Sequence, residues 1–149
     1  MRPYILLLNG PNLNRLGVRK PKIYGSVQLR DVISNVSQLA ETIGVGVVDF
    51  QSNSEGALVD FLQEKGPESL GIIINPGALA HYGLSLRDCL EDLSRPTVEV
   101  HISNVHQREE FRHKLVLSDV VDGQVVGLGT FGYELAARYL LNLTDPAKN

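Results

Sequence analysis

Short apolar runs alternate with longer stretches of helical periodicity along this chain. Tyr4 to Asn9 is apolar up to its last residue, as expected of a strand buried on both faces. From Val27 to Ile43 the residues Leu29, Val32, Ile33, Val36, Leu39, Ala40 and Ile43 recur at helical spacing, and Gly44 ends the pattern. Val45 to Phe50 reads as a second strand. Ser54 to Lys65 reads as a second helix, capped by Ser54 and stopped by Gly66-Pro67. A third strand (Leu70 to Ile74), a third helix (Leu84 to Leu93) and a fourth strand (Pro96 to Ile102) follow. Asn104 to His113 reads as a short helix rich in charge, and Gln124 to Val126 as a short fifth strand. Phe131 to Asn142 reads as the last helix, with Leu135, Ala136, Tyr139 and Leu140 on one face. The polar end, Thr144 to Asn149, is expected to fray.

Strand then helix, repeated five times, predicts an α/β fold: a parallel sheet with helices on both faces. Five strands suit the flavodoxin-like, doubly wound order 2-1-3-4-5. A length of 149 residues fits a single domain over 1–149, with 143–149 as a frayed tail. In such sheets the site forms at the carboxyl ends of the strands, near the switch point between strands 1 and 3. Strand 1 ends in Asn9-Gly10-Pro11-Asn12, strand 3 in Asn75-Pro76-Gly77-Ala78 and strand 4 in His101-Ile102-Ser103-Asn104. These three polar ends are expected to ring one crevice.

Composition narrows the partners. The formal net charge of −3 argues against a dedicated nucleic-acid surface, and no apolar run approaches the length of a membrane span. Because the chain enters a strand almost at once, a cleaved signal peptide is not expected. The lone Cys89 cannot form an internal disulfide, so the cytoplasm is the default compartment. The four histidines lack metal-ligand spacing and cysteine ligands are absent, so no metal site is expected. None of the five lysines sits in a strand core, where desolvation would suit Schiff-base chemistry.

Against this acidic background, the loop from Arg15 to Gly25 is locally basic and carries Tyr24. Nearby cations favour a phenolate, which makes Tyr24 a candidate general base; the plain alternative is a tyrosine packed on Pro21. Glu99 and His101 lie two apart on a strand and share a face. A carboxylate there would fix the imidazole tautomer and help it donate a proton. A purely structural pair is the other reading, but an acid inside Val98-Glu99-Val100 is costly to bury without a partner. Arg108 and Arg112, four apart, would share a helix face, with Glu109 and Glu110 explaining them as an ordinary solvated charged helix. His81 follows the strand 3 turn and could reach the crevice. Asp88 should point away from it, with Arg87 or a neighbouring chain as its partner. Gly127-Leu128-Gly129-Thr130-Phe131-Gly132 mimics a dinucleotide fingerprint. The chain ends before the further strand and acidic residue that such a site needs, so these glycines are expected to serve close packing of the last helix.

Taken together, Leu8 to Asn14, Arg19 through Tyr24-Gly25, Gln51-Ser52-Asn53, Ile74 to Ala78, Leu86-Arg87-Asp88, Val98 to Asn104, Arg108 to Arg112 and Val126 to Gly129 resemble the type II 3-dehydroquinate dehydratases. The resemblance spans nearly the whole chain in order. It implies a cofactor-free anti elimination of water from 3-dehydroquinate, through an enolate, to 3-dehydroshikimate. It implies that Tyr24 removes the C2 proton with Arg19 lowering its pKa, and that Asn12 stabilises the enolate oxygen. His101, oriented by Glu99, would protonate the departing hydroxyl. Asn75 and the backbone amides of Ile102 and Ser103 would bind the carboxylate, and His81 and Arg112 the ring hydroxyls. Asp88 would reach a neighbouring subunit's site in a dodecamer built from trimers. Two positions depart from the family pattern: Lys20, where an acid is common, and Tyr82-Gly83, where small hydroxyl residues often follow the histidine. The competing readings are a non-catalytic binding module for a small anion, which has no need of Tyr24, Glu99 and His101 together, and a related dehydratase acting on another cyclic hydroxy acid.

Overall fold

The structure is a computed structural model that describes residues 2–148; Met1 and Asn149, the outermost ends of the sequence reading, lie outside the described residues. Five parallel strands form one sheet in the order β2-β1-β3-β4-β5. They are β1 (Tyr4–Asn9), β2 (Gly46–Gln51), β3 (Ile72–Asn75), β4 (Thr97–His101) and β5 (Gly123–Val126). The helices are α1 (Pro21–Tyr24), α2 (Leu29–Glu41), α3 (Glu55–Lys65), α4 (Leu84–Leu93) and α5 (Phe131–Thr144). The doubly wound order expected from the strand–helix alternation is the one observed.

The sheet divides the interior in two. Ile5, Leu7, Ile73, Val98 and Val100 pack against α2 and α5. Leu6, Leu8, Ile72 and Ile74 pack against α3 and α4. Successive residues of a strand face opposite sides, so covering both faces requires the unbroken apolar runs seen in β1 and β3. Each fully buried Leu or Ile there contributes about 2 kcal/mol of transfer free energy. By the same parity, Asn9 and Asn75 belong to the α2/α5 side, and Glu99 and His101 to the α3/α4 side.

Local signals set the helix ends. Ser54 Oγ accepts from the Ala57 amide, as its capping position predicts. In α2 a reciprocal box joins Gln28 and Asp31, and the helix starts two residues later than the apolar spacing suggests. The buried face of α5 is Tyr133, Ala136, Ala137, Leu140 and Leu141, whereas Tyr139 is 44% exposed. This stripe is rotated from the sequence reading, because the small residues Gly132 and Ala136 draw the helix onto the sheet. A side chain at Gly132 would approach Val125 and Val100 within 3.3 Å, the close packing expected of that glycine segment.

Asn104 to His113 is not a helix. Two 3₁₀ turns, Val105–Gln107 and Glu110–Arg112, flank an extended Arg108. Asn104 Oδ1 caps the first turn by accepting from the His106 amide, and His113 Nε2 bonds the Arg108 carbonyl at 3.1 Å. These side-chain bonds to the backbone replace a helical ladder, and they turn Arg108 inward.

At the switch point the exits of β1 and β3 are pressed together. The Gly10 amide donates to the Asn75 carbonyl at 2.8 Å. A Cβ at Gly10 would stand 2.4 Å from the Pro76 carbonyl oxygen, so only glycine allows this approach. Cys89 is buried on α4, and desolvation raises its thiol above the ordinary range. No helix among the described residues is long and apolar enough to cross a membrane.

Candidate active site

The crevice lies where the topology places it, at the carboxyl ends of β1, β3 and β4. It encloses about 660 Å³ of space between atoms, open solvent at its mouth included. Of the residues singled out in the sequence, Asn12, Arg19, Tyr24, Asn75, His81, His101, Ile102, Ser103 and Arg112 line it.

Tyr24 ends the single-turn helix α1, which closes one side. Lys20 precedes that helix in the left-handed region at φ 42°, and Pro21 opens it. The Arg19 guanidinium stands 5.0 Å from the Tyr24 ring centroid and that of Arg108 stands 5.5 Å away. Arg108 also donates through Nη1 to Tyr24 Oη at 2.9 Å and to Ser103 Oγ at 3.1 Å. Two guanidiniums thus crowd one phenol, and one of them is bonded to its oxygen.

Glu99 and His101 form the pair that strand parity predicts, and His101 lines the crevice. Glu99 is fully buried and His101 is 5% exposed. Glu99 Oε2 lies 2.5 Å from His101 Nε2, and Glu99 Oε1 accepts from Gln124 Nε2 at 2.8 Å. Both carboxylate oxygens are thus engaged, which is what makes the burial tolerable. A carboxylate acceptor holds a proton on Nε2 and leaves Nδ1 as the exchangeable nitrogen.

His81 Nδ1 bonds the Lys114 carbonyl at 2.9 Å. A carbonyl only accepts, so Nδ1 carries the hydrogen and Nε2 of the neutral ring is an acceptor. Burial holds the His81 pKa below the ordinary imidazole value, opposed by the Lys114 carbonyl, with His101 and Arg112 adding to the depression. Arg112 is held by Glu109 Oε2 at 3.0 Å. Its place in the crevice comes from the second 3₁₀ turn and not from the shared helix face expected of Arg108 and Arg112.

Asn12 has a left-handed backbone, φ 72°, and its amide donates to Asn53 Oδ1 at 3.0 Å. Gln51 ties Asn53 to the Gly10 carbonyl, so the end of β2 braces the loop that carries Asn12. Asp88 is outside the crevice: its side chain is 74% exposed and pairs with Arg87 at 3.0 Å. Of the two departures, Lys20 sits at the N-terminus of α1 and Tyr82 is 63% exposed, so neither removes a group from the crevice. Arg108 was not among the residues assigned a role from sequence, nor were the apolar walls Leu13, Leu16 and Val105. A cation four residues before Arg112 was visible; its contact with Tyr24 was not. No group of three or more His, Cys, Asp or Glu able to hold a metal occurs among the described residues.

A buried Glu–His pair and a phenol set among guanidiniums, both at the switch-point crevice, mark a doubly wound α/β protein with a candidate proton-transfer site. A family profile described as dehydroquinase class II matches residues 3–141, and the chain belongs to that family. It is similar to the 3-dehydroquinate dehydratase of Bacillus subtilis (strain 168), with 49% identity over 140 residues, 94% of this chain and 95% of that protein. The 3-dehydroquinate dehydratase of Roseiflexus castenholzii is 54% identical over 137 residues, covering 92% and 87%. Among solved structures, the type II dehydroquinase from Butyrivibrio crossotus superposes with a TM-score of 0.89 at 43% identity, covering 93% of this chain and 97% of that one.

Proposed function

We propose that this protein is a 3-dehydroquinate dehydratase, a hydro-lyase that forms 3-dehydroshikimate in the shikimate pathway. The observation that carries this reading is the Arg108 bond to Tyr24 Oη within the crevice that His101 also lines, with Glu99 buried behind that imidazole. A base and an acid lining one crevice suit an elimination in which one group takes a proton and the other gives one.

Tyr24, as phenolate, takes the C2 proton and leaves an enolate whose oxygen Asn12 stabilises. Arg19 and Arg108 support the phenolate. His101 then gives its Nδ1 proton to the C1 hydroxyl as the C1–O bond breaks, releasing water. The Glu99 carboxylate against Nε2 supports the doubly protonated ring that this step needs. Proton return from tyrosine to histidine through solvent restores both groups. Asn75 and the amides of Ile102 and Ser103 hold the substrate carboxylate. His81, through its acceptor Nε2, and Arg112 hold the ring hydroxyls. The roles need no cofactor.

Asp88 serves the site of an adjacent subunit in a dodecamer of trimers, in the cytoplasm. Asp88→Ala is expected to weaken assembly or raise KM. Sedimentation and steady-state kinetics check this; an intact oligomer with wild-type constants would remove the cross-subunit role.

The activity itself is tested by ultraviolet absorbance after adding 3-dehydroquinate, with chelator and borohydride controls. The conjugated enone of the product gives a rise, expected to survive both treatments. A folded protein giving no rise would return the reading to a binding module or a dehydratase of another hydroxy acid.

A further inference from the structure

Behind the crevice a phenol bridges the ends of two strands. Asn9 and Asn75 are register partners on β1 and β3, the strands that flank the switch point. Their side chains meet the hydroxyl of Tyr133 from α5, which is 1% exposed. Tyr133 Oη donates to Asn9 Oδ1 at 2.5 Å and accepts from Asn75 Nδ2 at 2.8 Å. The Gly77 amide donates to Asn75 Oδ1 at 3.1 Å. Burial raises the Tyr133 pKa well above the ordinary phenol range, so its single proton stays in place.

These bonds leave one consistent direction. The hydroxyl spends its hydrogen on Asn9, so toward Asn75 it can only accept. Asn75 must therefore turn its amide nitrogen to Tyr133 and its oxygen to Gly77. A flipped amide would set Oδ1 against a hydroxyl lone pair and Nδ2 against the Gly77 N–H. One hydrogen of Nδ2 then remains for the crevice, which Asn75 lines as a donor and not as an acceptor.

We propose that Tyr133 is a positioning residue: it acts through Asn75, fixing the amide so that the crevice presents an N–H donor to an anionic or carbonyl oxygen of the ligand. The inference rests on the activity proposed above and extends it to a residue that touches no substrate. Its effect should fall on binding more than on the proton transfers, which other groups carry.

The test uses full-length Tyr133→Phe, Asn75→Ala and the double variant, each first checked for folding by circular dichroism. Tyr133→Phe is expected to raise KM for 3-dehydroquinate about tenfold, the scale of one lost hydrogen bond, with kcat changed less than about threefold. In the Asn75→Ala background the same change should alter KM less than about twofold, because residues acting in series are not additive. An unchanged KM for the single variant, or equal effects in both backgrounds, overturns the proposal. A second arm needs no turnover. In ¹⁵N spectra the Asn75 side-chain amide, assigned by its loss in Asn75→Ala, should give two sharp, exchange-protected protons that become labile in Tyr133→Phe. Identical protection in both proteins would overturn the proposal. If Tyr133→Phe does not fold, Asn9→Leu removes the acceptor that aims the hydroxyl and should raise KM and amide exchange in the same way. A wild-type protein without turnover would defeat the dehydratase reading alone, and the amide arm would still decide the role of Tyr133.

Discussion

Tyr24→Phe is expected to lower kcat by about 10³-fold or more while leaving the fold and ligand binding close to wild type. The substitution deletes one oxygen and keeps the ring that Arg19 and Arg108 face. General base catalysis contributes about 10²–10⁴-fold, and once the phenol oxygen is gone Arg108 keeps Ser103 Oγ on Nη1 and Glu109 Oε1 at 3.7 Å from Nε. Tyr24 is partly exposed and α1 is a single turn at the edge of the molecule, so stability should change little. Enone absorbance gives kcat, and calorimetric titration with product gives binding. A residual rate within tenfold of wild type would assign proton abstraction elsewhere.

His101→Ala is expected to have two separable effects. Turnover should fall about 10³-fold if His101 is the acid that assists C–O cleavage, as proposed. Stability should also fall, by about 3 kcal/mol, because Glu99 Oε2 loses its partner in a fully buried site. Pairing the change with Glu99→Gln distinguishes them. The neutral amide carries no charge to strand, so the double variant should regain most of the stability and none of the activity. Thermal unfolding and steady-state rates measure the two halves. A single variant as stable as wild type would mean that Glu99 is not held there as a charged partner of His101.

The Glu99–His101 pair was legible in the sequence because strand parity is rigid: residues two apart share a face, and an acid within Val98-Glu99-Val100 stands out against its neighbours. The strand order and the polar strand ends were legible for a similar reason, since buried parallel strands admit few other patterns. Arg108 was legible only as a charge. Its orientation depends on Asn104 and His113 bonding the backbone in place of a helical turn, a competition that apolar periodicity does not register. Tyr133 was hidden more completely. It sits on an apolar helix face where an aromatic residue needs no explanation, and its partners are 58 and 124 positions away. The face itself was misjudged by part of a turn, because small residues set how closely α5 approaches the sheet and they weigh little in a hydrophobic pattern.

The buried, proton-retaining thiol of Cys89 makes the protein a clean host for site-specific labelling. Thiolates, not thiols, react with maleimides, and Cys89 is 8% exposed with its thiol pushed up by desolvation. A cysteine introduced at Val18, which is 60% exposed on the basic loop, would therefore accept a fluorophore with little background. One substitution in the native background then gives a reporter of the surroundings of that loop without any prior cysteine removal.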